Sequence, residues 1–186
     1  MGIVFITYCN HSIDKLNRFI DSLKNNTSQD FVIYLNDQSE TNYGRYSHYK
    51  DKVFMFMTPY VADWGYSVAL DMAYDAYSSD VLVFCNDDDV FMPTMVEDVL
   101  VAFNDPTIDV VYYDMLHRRL NGTQPFITEP IVCRIDKSAF AIRRDKFIDL
   151  NGFEDTTQFG DGRFVEKAVA RGLKFKKINK VLLDKE

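Results

Sequence analysis

Short apolar runs alternate along this chain with polar stretches of helical period. Ile3-Val4-Phe5-Ile6, Phe31-Val32-Ile33-Tyr34-Leu35, Val53-Phe54-Met55-Phe56-Met57, Val81-Leu82-Val83-Phe84-Cys85 and Asp109-Val110-Val111-Tyr112-Tyr113 are such runs. Bounded by polar turns, they read as strands of an α/β sheet, buried on both faces where the run is unbroken. Between the first two, Leu16, Phe19, Ile20 and Leu23 recur at i, i+3, i+4 and i+7. That spacing predicts a helix with Ser12 at its N-cap, broken by Asn25-Asn26-Thr27-Ser28. Strand, helix and strand in this order predict a parallel pair with a right-handed crossover.

Four more helices are expected. One follows Gly65 over about 67–77, with Val68, Met72 and Ala76 on one side. The second starts at Thr94, where Thr94 and Glu97 have capping-box spacing, and runs to about Phe103. The others cover about 145–150 and 162–170, the latter stopped by Gly172. Ser138 to Ile142 reads as a strand, and Lys174 to Ile178 as an alternating edge strand. Residues 40–52 are polar and tyrosine-rich. Residues 114–137 carry Gly122, Pro125 and Pro130 with little periodicity, so a long loop, functional or mobile, is expected there.

At 186 residues a single domain with a full core is expected, and 47% hydrophobic with 15% aromatic residues excludes a disordered chain. The net charge of −7 disfavours a general nucleic-acid coat or a binder of anionic membranes. Local basic clusters at Arg143, Arg144 and Lys146, and at Lys174, Lys176, Lys177 and Lys180, remain candidates for a groove or for solvated faces. The cysteines are three and scattered; Cys9 and Cys85 read as buried thiols, and no CxxC pair suggests zinc. No run approaches the ~20 apolar residues of a membrane span, and no leader pattern is present, which predicts a cytoplasmic protein.

The chemistry gathers behind the fourth run. Val81 to Cys85 leads straight into Asn86-Asp87-Asp88-Asp89. Three adjacent carboxylates repel one another unless a positive charge sits among them, and a hard divalent cation with oxygen ligands supplies one. The crevice beyond the carboxyl ends of the strands is also where open α/β sheets bind ligands. A metal-assisted site for an anionic substrate follows.

The ordered set of motifs resembles the family 2-like, GT-A-fold glycosyltransferases over about Ile3 to Ile178. It comprises Thr7-Tyr8, Asn36-Asp37-Gln38-Ser39, Gly65 before a helix, and Asn86-Asp87-Asp88-Asp89 with Pro93 behind it. Asn151-Gly152-Phe153-Glu154 and Gly160-Asp161 complete it. The resemblance implies a Rossmann-like, mostly parallel mixed sheet flanked by helices. Residues 1–105 would form a nucleotide-binding half and 106–186 an acceptor-side half. It implies inverting transfer of a sugar from a nucleoside-diphosphate donor, UDP-linked, to an acceptor hydroxyl. Thr7, Tyr8, Asp37, Gly65, Asn86 and Asp87 would bind the donor, with Tyr8 against the base and Asp37 on its ring N–H. Asp88 and Asp89 would hold Mn²⁺ or Mg²⁺, and Asp161 would be the general base, with Glu154 and Asp155 in reserve. The acceptor, an envelope saccharide or a modified DNA base, would lie between residues 114–137 and the loop before Asp161.

The chain departs from the family pattern at three places. Asn86 replaces the first aspartate of the acidic motif, Gly160 replaces the acid before Asp161, and Leu70 replaces an arginine. No late histidine is present, leaving His117 as the one that could reach a metal. Two other readings stay open: a non-catalytic nucleotide- or sugar-binding module, and a sugar-nucleotide pyrophosphorylase. The second needs a glycine-rich basic loop after the first strand, where Thr7-Tyr8-Cys9-Asn10-His11 stands instead.

Overall fold

A computed structural model describes residues 2–9, 12–38, 52–57, 65–77, 79–119 and 122–185. Expectations for Asn10, His11, Ser39 and the tyrosine-rich 40–51 stretch fall outside the described residues.

The first strands follow the apolar runs closely: β1 (Ile3–Cys9), β2 (Phe31–Asp37), β3 (Val53–Met57) and β4 (Val81–Asn86). All pair in parallel, in the order β3-β2-β1-β4. Helix α1 (Ile13–Lys24) buries Leu16, Phe19, Ile20 and Leu23, the face its spacing predicts. Helix α2 (Tyr66–Asp75) buries Tyr66, Ala69, Met72 and Ala73. After the two-residue β5 (Val90–Phe91) comes α3 (Met95–Ala102). No capping box forms there: the Thr94 hydroxyl donates to Asp98, and Glu97 instead accepts from Thr27.

The second half is antiparallel and mixed. It contains β6 (Val110–Arg119), β7 (Gly122–Phe126), a 3-10 turn at Lys137–Ala139, and β8 (Phe140–Arg143). Helices α4 (Arg144–Asp149) and α5 (Gly160–Ala170) and strand β9 (Phe175–Lys185) follow. The sheet continues β4-β8-β6-β9-β5, with β7 hydrogen-bonded to β6 as a hairpin. Alternate residues of the central strands face two cores. Ile3, Phe5, Val83 and Cys85 pack with α1 and α3, while Val4, Ile6, Leu82 and Phe84 pack with α2, α4 and α5.

Four expectations are corrected here. Residues 114–137 are not one irregular loop, because β6 runs through Arg119 and returns as β7. The missing periodicity has a cause: β6 shifts register against β9 on either side of Asp114. A bulge of that kind interrupts the two-residue alternation. Pro125, lacking an N–H, sits in β7, which pairs only with β6 among the described strands. Strand β9 is no short edge strand, since it lies between β6 and β5. Ser138 and Ala139 belong to the 3-10 turn, and β8 begins at Phe140. The Arg143 and Arg144 cluster is no groove: Arg143 donates to the carbonyls of Phe103, Asp105 and Ile108, and Arg144 to those of Ala73 and Tyr74. Among the described residues no helix is long and apolar enough to cross a membrane.

Candidate active site

Parallel pairing of β1 with β2 and β4 brings the donor-side residues to one end of the sheet. Tyr8 is in register with Asn36 and Asn86, Thr7 with Cys85, and Cys9 with Asp37. The Tyr8 hydroxyl donates to Asn86 Oδ1 at 3.0 Å. The amide that replaces the family's aspartate is therefore a hydrogen-bond acceptor for Tyr8. Gly65 packs flat on the Tyr8 ring, where a Cβ would lie 2.5 Å from Cδ1, and its φ of +75° is one that side chains disfavour. The Lys137 ammonium covers the same ring 4.2 Å from its centroid. The cavity bordered by Tyr8, Tyr66 and Lys137 is only about 10 Å³, room for a single water. A base stacking on Tyr8 from this side would have to displace that ammonium. Thr7 and Asp37 are both buried.

The acidic turn closes on itself. Asp89 is fully buried, accepts from the Asn86 N–H at 2.8 Å and from the Ser138 hydroxyl, and has Lys185 Nζ 3.8 Å from its other oxygen. Burial raises its pKa. These commitments turn Asp89 inward and brace the turn through its Oδ2, while its Oδ1 has no hydrogen-bond partner. Asp87 is also enclosed. Asp88 differs: its side chain keeps 14% exposure and its Oδ2 holds the ammonium of Lys15, from α1, at 3.0 Å. A cation, the Lys15 ammonium, already sits against the carboxylate expected to hold one. Among the described residues no three His, Cys, Asp or Glu side chains are grouped to hold a metal, His117 included.

Asp161 lies in the first turn of α5, accepting from the N–H groups of Lys137 at 3.1 Å and Gly162 at 2.7 Å. Burial, and then the neighbouring Asp136 carboxylate, push its pKa up to about 6. A carboxylate so poised is a competent general base near neutrality. The departure at Gly160 now has a steric reason. A Cβ there would meet the Asp155 carbonyl at 2.0 Å and the Tyr66 ring at 2.8 Å. The glycine lets α5 seat against Tyr66, while Phe164, one turn on, locks into the rings of Phe140, Phe147 and Phe153. Glu154 and Asp155, the reserve bases, are ion-paired with Lys167 and Arg163.

One turn joins the two sides. Asp136 holds Lys185 at 2.6 Å, the Lys137 N–H holds Asp161, and the Ser138 hydroxyl holds Asp89. Burial and then repulsion from Lys185 bring the Lys137 pKa down to about 8. Burial alone would lower Lys185 too, but the carboxylates of Asp136 and Asp89 outweigh it and raise its pKa. Lys15, Lys137, Ser138 and Lys185 were not singled out from sequence. The one available signal was a lysine directly before the apolar run Ser138-Ala139-Phe140-Ala141-Ile142, where an exposed turn would need no such neighbour.

Beside Asp161 opens a cavity of about 350 Å³, walled by Met115, His117, Phe126, Asp136 and Phe159. It lies between the β6–β7 hairpin and the loop before α5, where the acceptor is expected.

Residues 3–164 match the model of glycosyl transferase family 2. The chain belongs to that family. No curated protein matches it by sequence. In structure this family 2 member is similar to S. aureus TarS 1–349 in complex with UDP, at TM-score 0.79 and 14% identity over 100% of this chain and 60% of that one. The same TarS fragment in complex with UDP-GlcNAc gives TM-score 0.75 and 16% identity over 100% and 58%. The mannosyltransferase PcManGT from Pyrobaculum calidifontis, in complex with GDP-Man and Mn²⁺, gives 0.75 and 13% over 98% and 56%. The chain thus spans about 60% of the TarS fragment's length. These likenesses establish the GT-A fold; the family match makes the chain a glycosyltransferase domain.

Proposed function

We propose that this domain moves a sugar from a nucleoside diphosphate, UDP-linked, to an acceptor hydroxyl with inversion. The observation that carries the reading is Asp161. It is a buried carboxylate with its pKa raised to about 6, on the wall of the 350 Å³ cavity, tied through the 136–138 turn to the acidic end of β4. In the step, the acceptor oxygen attacks the anomeric carbon from the cavity side and its proton passes to Asp161. The bond to the diphosphate oxygen breaks, and the nucleoside diphosphate leaves with the added charge.

Thr7, Tyr8, Asp37, Gly65, Asn86 and Asp87 form the donor side of this reading. Tyr8 acts through its hydroxyl link to Asn86 and its contact with Gly65. Asp88 and Asp89 would hold Mn²⁺ or Mg²⁺, the first in place of the Lys15 ammonium and the second through its unpartnered Oδ1. A bound ion there would neutralise charge on the departing diphosphate. The Mn²⁺ complex of the mannosyltransferase supports a metal, and the UDP complexes of TarS support uridine.

The test is release of nucleoside diphosphate from UDP-GlcNAc and GDP-Man, with Mn²⁺ and without. Slow donor hydrolysis above background is expected with one of them. Donor binding without any turnover, in water or with acceptor candidates, would instead favour a binding module.

A further inference from the structure

We infer that Lys15 is a tethered counter-cation that competes with a divalent ion for Asp88 and so sets how strongly the acidic turn binds metal; this rests on the metal-assisted transferase reading above. Three observations carry it.

The first is occupancy. Lys15 Nζ stands 3.0 Å from Asp88 Oδ2, a contact between residues 73 positions apart in the chain. A hard divalent ion binds a carboxylate oxygen at roughly 2.1 Å. On this carboxylate it must either displace the ammonium or sit beside it against like-charge repulsion. In both cases Lys15 weakens its hold.

The second is charge balance. Asn86 stands where the family carries an aspartate, so the turn has one carboxylate fewer. Each of the two acids expected to hold the ion already faces an ammonium: Asp88 has Lys15, and Asp89 Oδ1 has Lys185 at 3.8 Å. The charge of these acids is met before any metal arrives. The negative charge of a nucleoside diphosphate then tips the balance toward the ion.

The third is which lysine can leave. The Lys185 side chain is 15% exposed and is held by Asp136 at 2.6 Å. The Lys15 side chain is 36% exposed, on a flexible stem that reaches water. Lys15 also lies in the first turn of α1, where a cation opposes the helix dipole. The helix gives Lys15 no reason to be there; Asp88 does. Lys15 therefore yields to the ion and Lys185 stays.

The test is titration with Mn²⁺, followed by the electron paramagnetic resonance signal of the free ion, without UDP and again with it. Lys15→Met should bind Mn²⁺ about three- to tenfold more tightly than wild type without UDP, and more tightly in the same sense with it. Lys15→Arg, which keeps the cation, should stay near wild type. Lys146→Met removes the same charge from α4, on the opposite face of the sheet, and should also stay near wild type. In Asp88→Asn, adding Lys15→Met should bring no gain. No gain in Lys15→Met under either condition, an equal gain in Lys146→Met, or a gain that survives in Asp88→Asn overturns the inference and leaves the metal reading standing. Mn²⁺ bound by neither wild type nor Lys15→Met, even with UDP, removes the metal reading and this inference with it.

Discussion

In the half of the sheet built from β3, β2, β1 and β4, the strands run parallel, and β2, β1 and β4 are held by side chains that avoid water. In the half built from β8, β6, β9 and β5, directions mix and charged pairs cross the sheet: Lys177 with Asp114, Arg118 with Asp184, Lys185 with Asp136. The site lies across the join. Its donor acids stand on a turn that closes through its own backbone, with the Asn86 N–H on Asp89. Its proposed base depends on a 3-10 turn whose charge is balanced by a lysine from the far end of the chain. Loss of a charge is therefore expected to cost less at Lys15, more than a third exposed on the parallel half, than at Lys185, which faces two carboxylates.

The largest break in that comparison is Asp161→Asn. It should cut sugar transfer by roughly 10²–10⁴, the range for a general base, while leaving UDP affinity unchanged. In the wild type the rate should climb with pH and level off above about 6, where Asp161 is ionised. The stability effect has the opposite sense. A carboxyl whose pKa rises on folding favours the folded state at low pH, and that contribution is lost as pH rises from its unfolded value through about 6. Urea unfolding of wild type and Asp161→Asn between pH 4 and 8 should show the gap moving in favour of the variant as pH increases. A pH-independent gap would contradict the raised pKa.

Next comes Lys185→Met. It strands Asp136 and Asp89 without their cation and should cost about 3 kcal/mol, read as a lower urea midpoint. Adding Asp136→Asn should recover part of it. By contrast Lys15→Met, which exposes Asp88 on the donor side, should change stability by less than about 1 kcal/mol, because Lys15 is more than a third exposed. Equal losses from the two lysines would erase the contrast between the halves. The smallest structural change is Gly65→Ala. Its left-handed φ alone costs about 1–2 kcal/mol, and the added methyl pushes on the Tyr8 ring. UDP affinity should fall along with stability; a fall in stability alone would separate Tyr8 from the donor site.

The same contrast explains what could be read in advance. Strand β1 and the apolar face of α1 follow from sequence because burial on a regular lattice writes itself as unbroken or periodic hydrophobicity, whereas the equally apolar β3 leaves Phe54 and Met55 exposed. Strand β6 beyond Tyr113 does not, since the register shift at Asp114 and the polar Asp114, His117 and Arg118 erase the alternation. Motif order singles out Asp161 and Asp88 as candidates, and the structure places the first beside a cavity and the second against Lys15. Lys137 and Lys185 were not, because a buried lysine is recognisable only once its partners are in place around it. Asp89 shows the limit from the other side: adjacent aspartates look equivalent in sequence, and only the turn decides that one faces Lys15 while its neighbour faces Ser138.

Calorimetric titration of UDP into wild-type protein and Asp88→Ala, each with Mn²⁺ and again with EDTA, tests the proposed donor site most directly. Wild type should bind at least about tenfold more tightly with Mn²⁺ than with EDTA, and Asp88→Ala should bind alike in both. Equal UDP affinity in all four titrations, or none in any of them, would contradict a donor site at the end of β4.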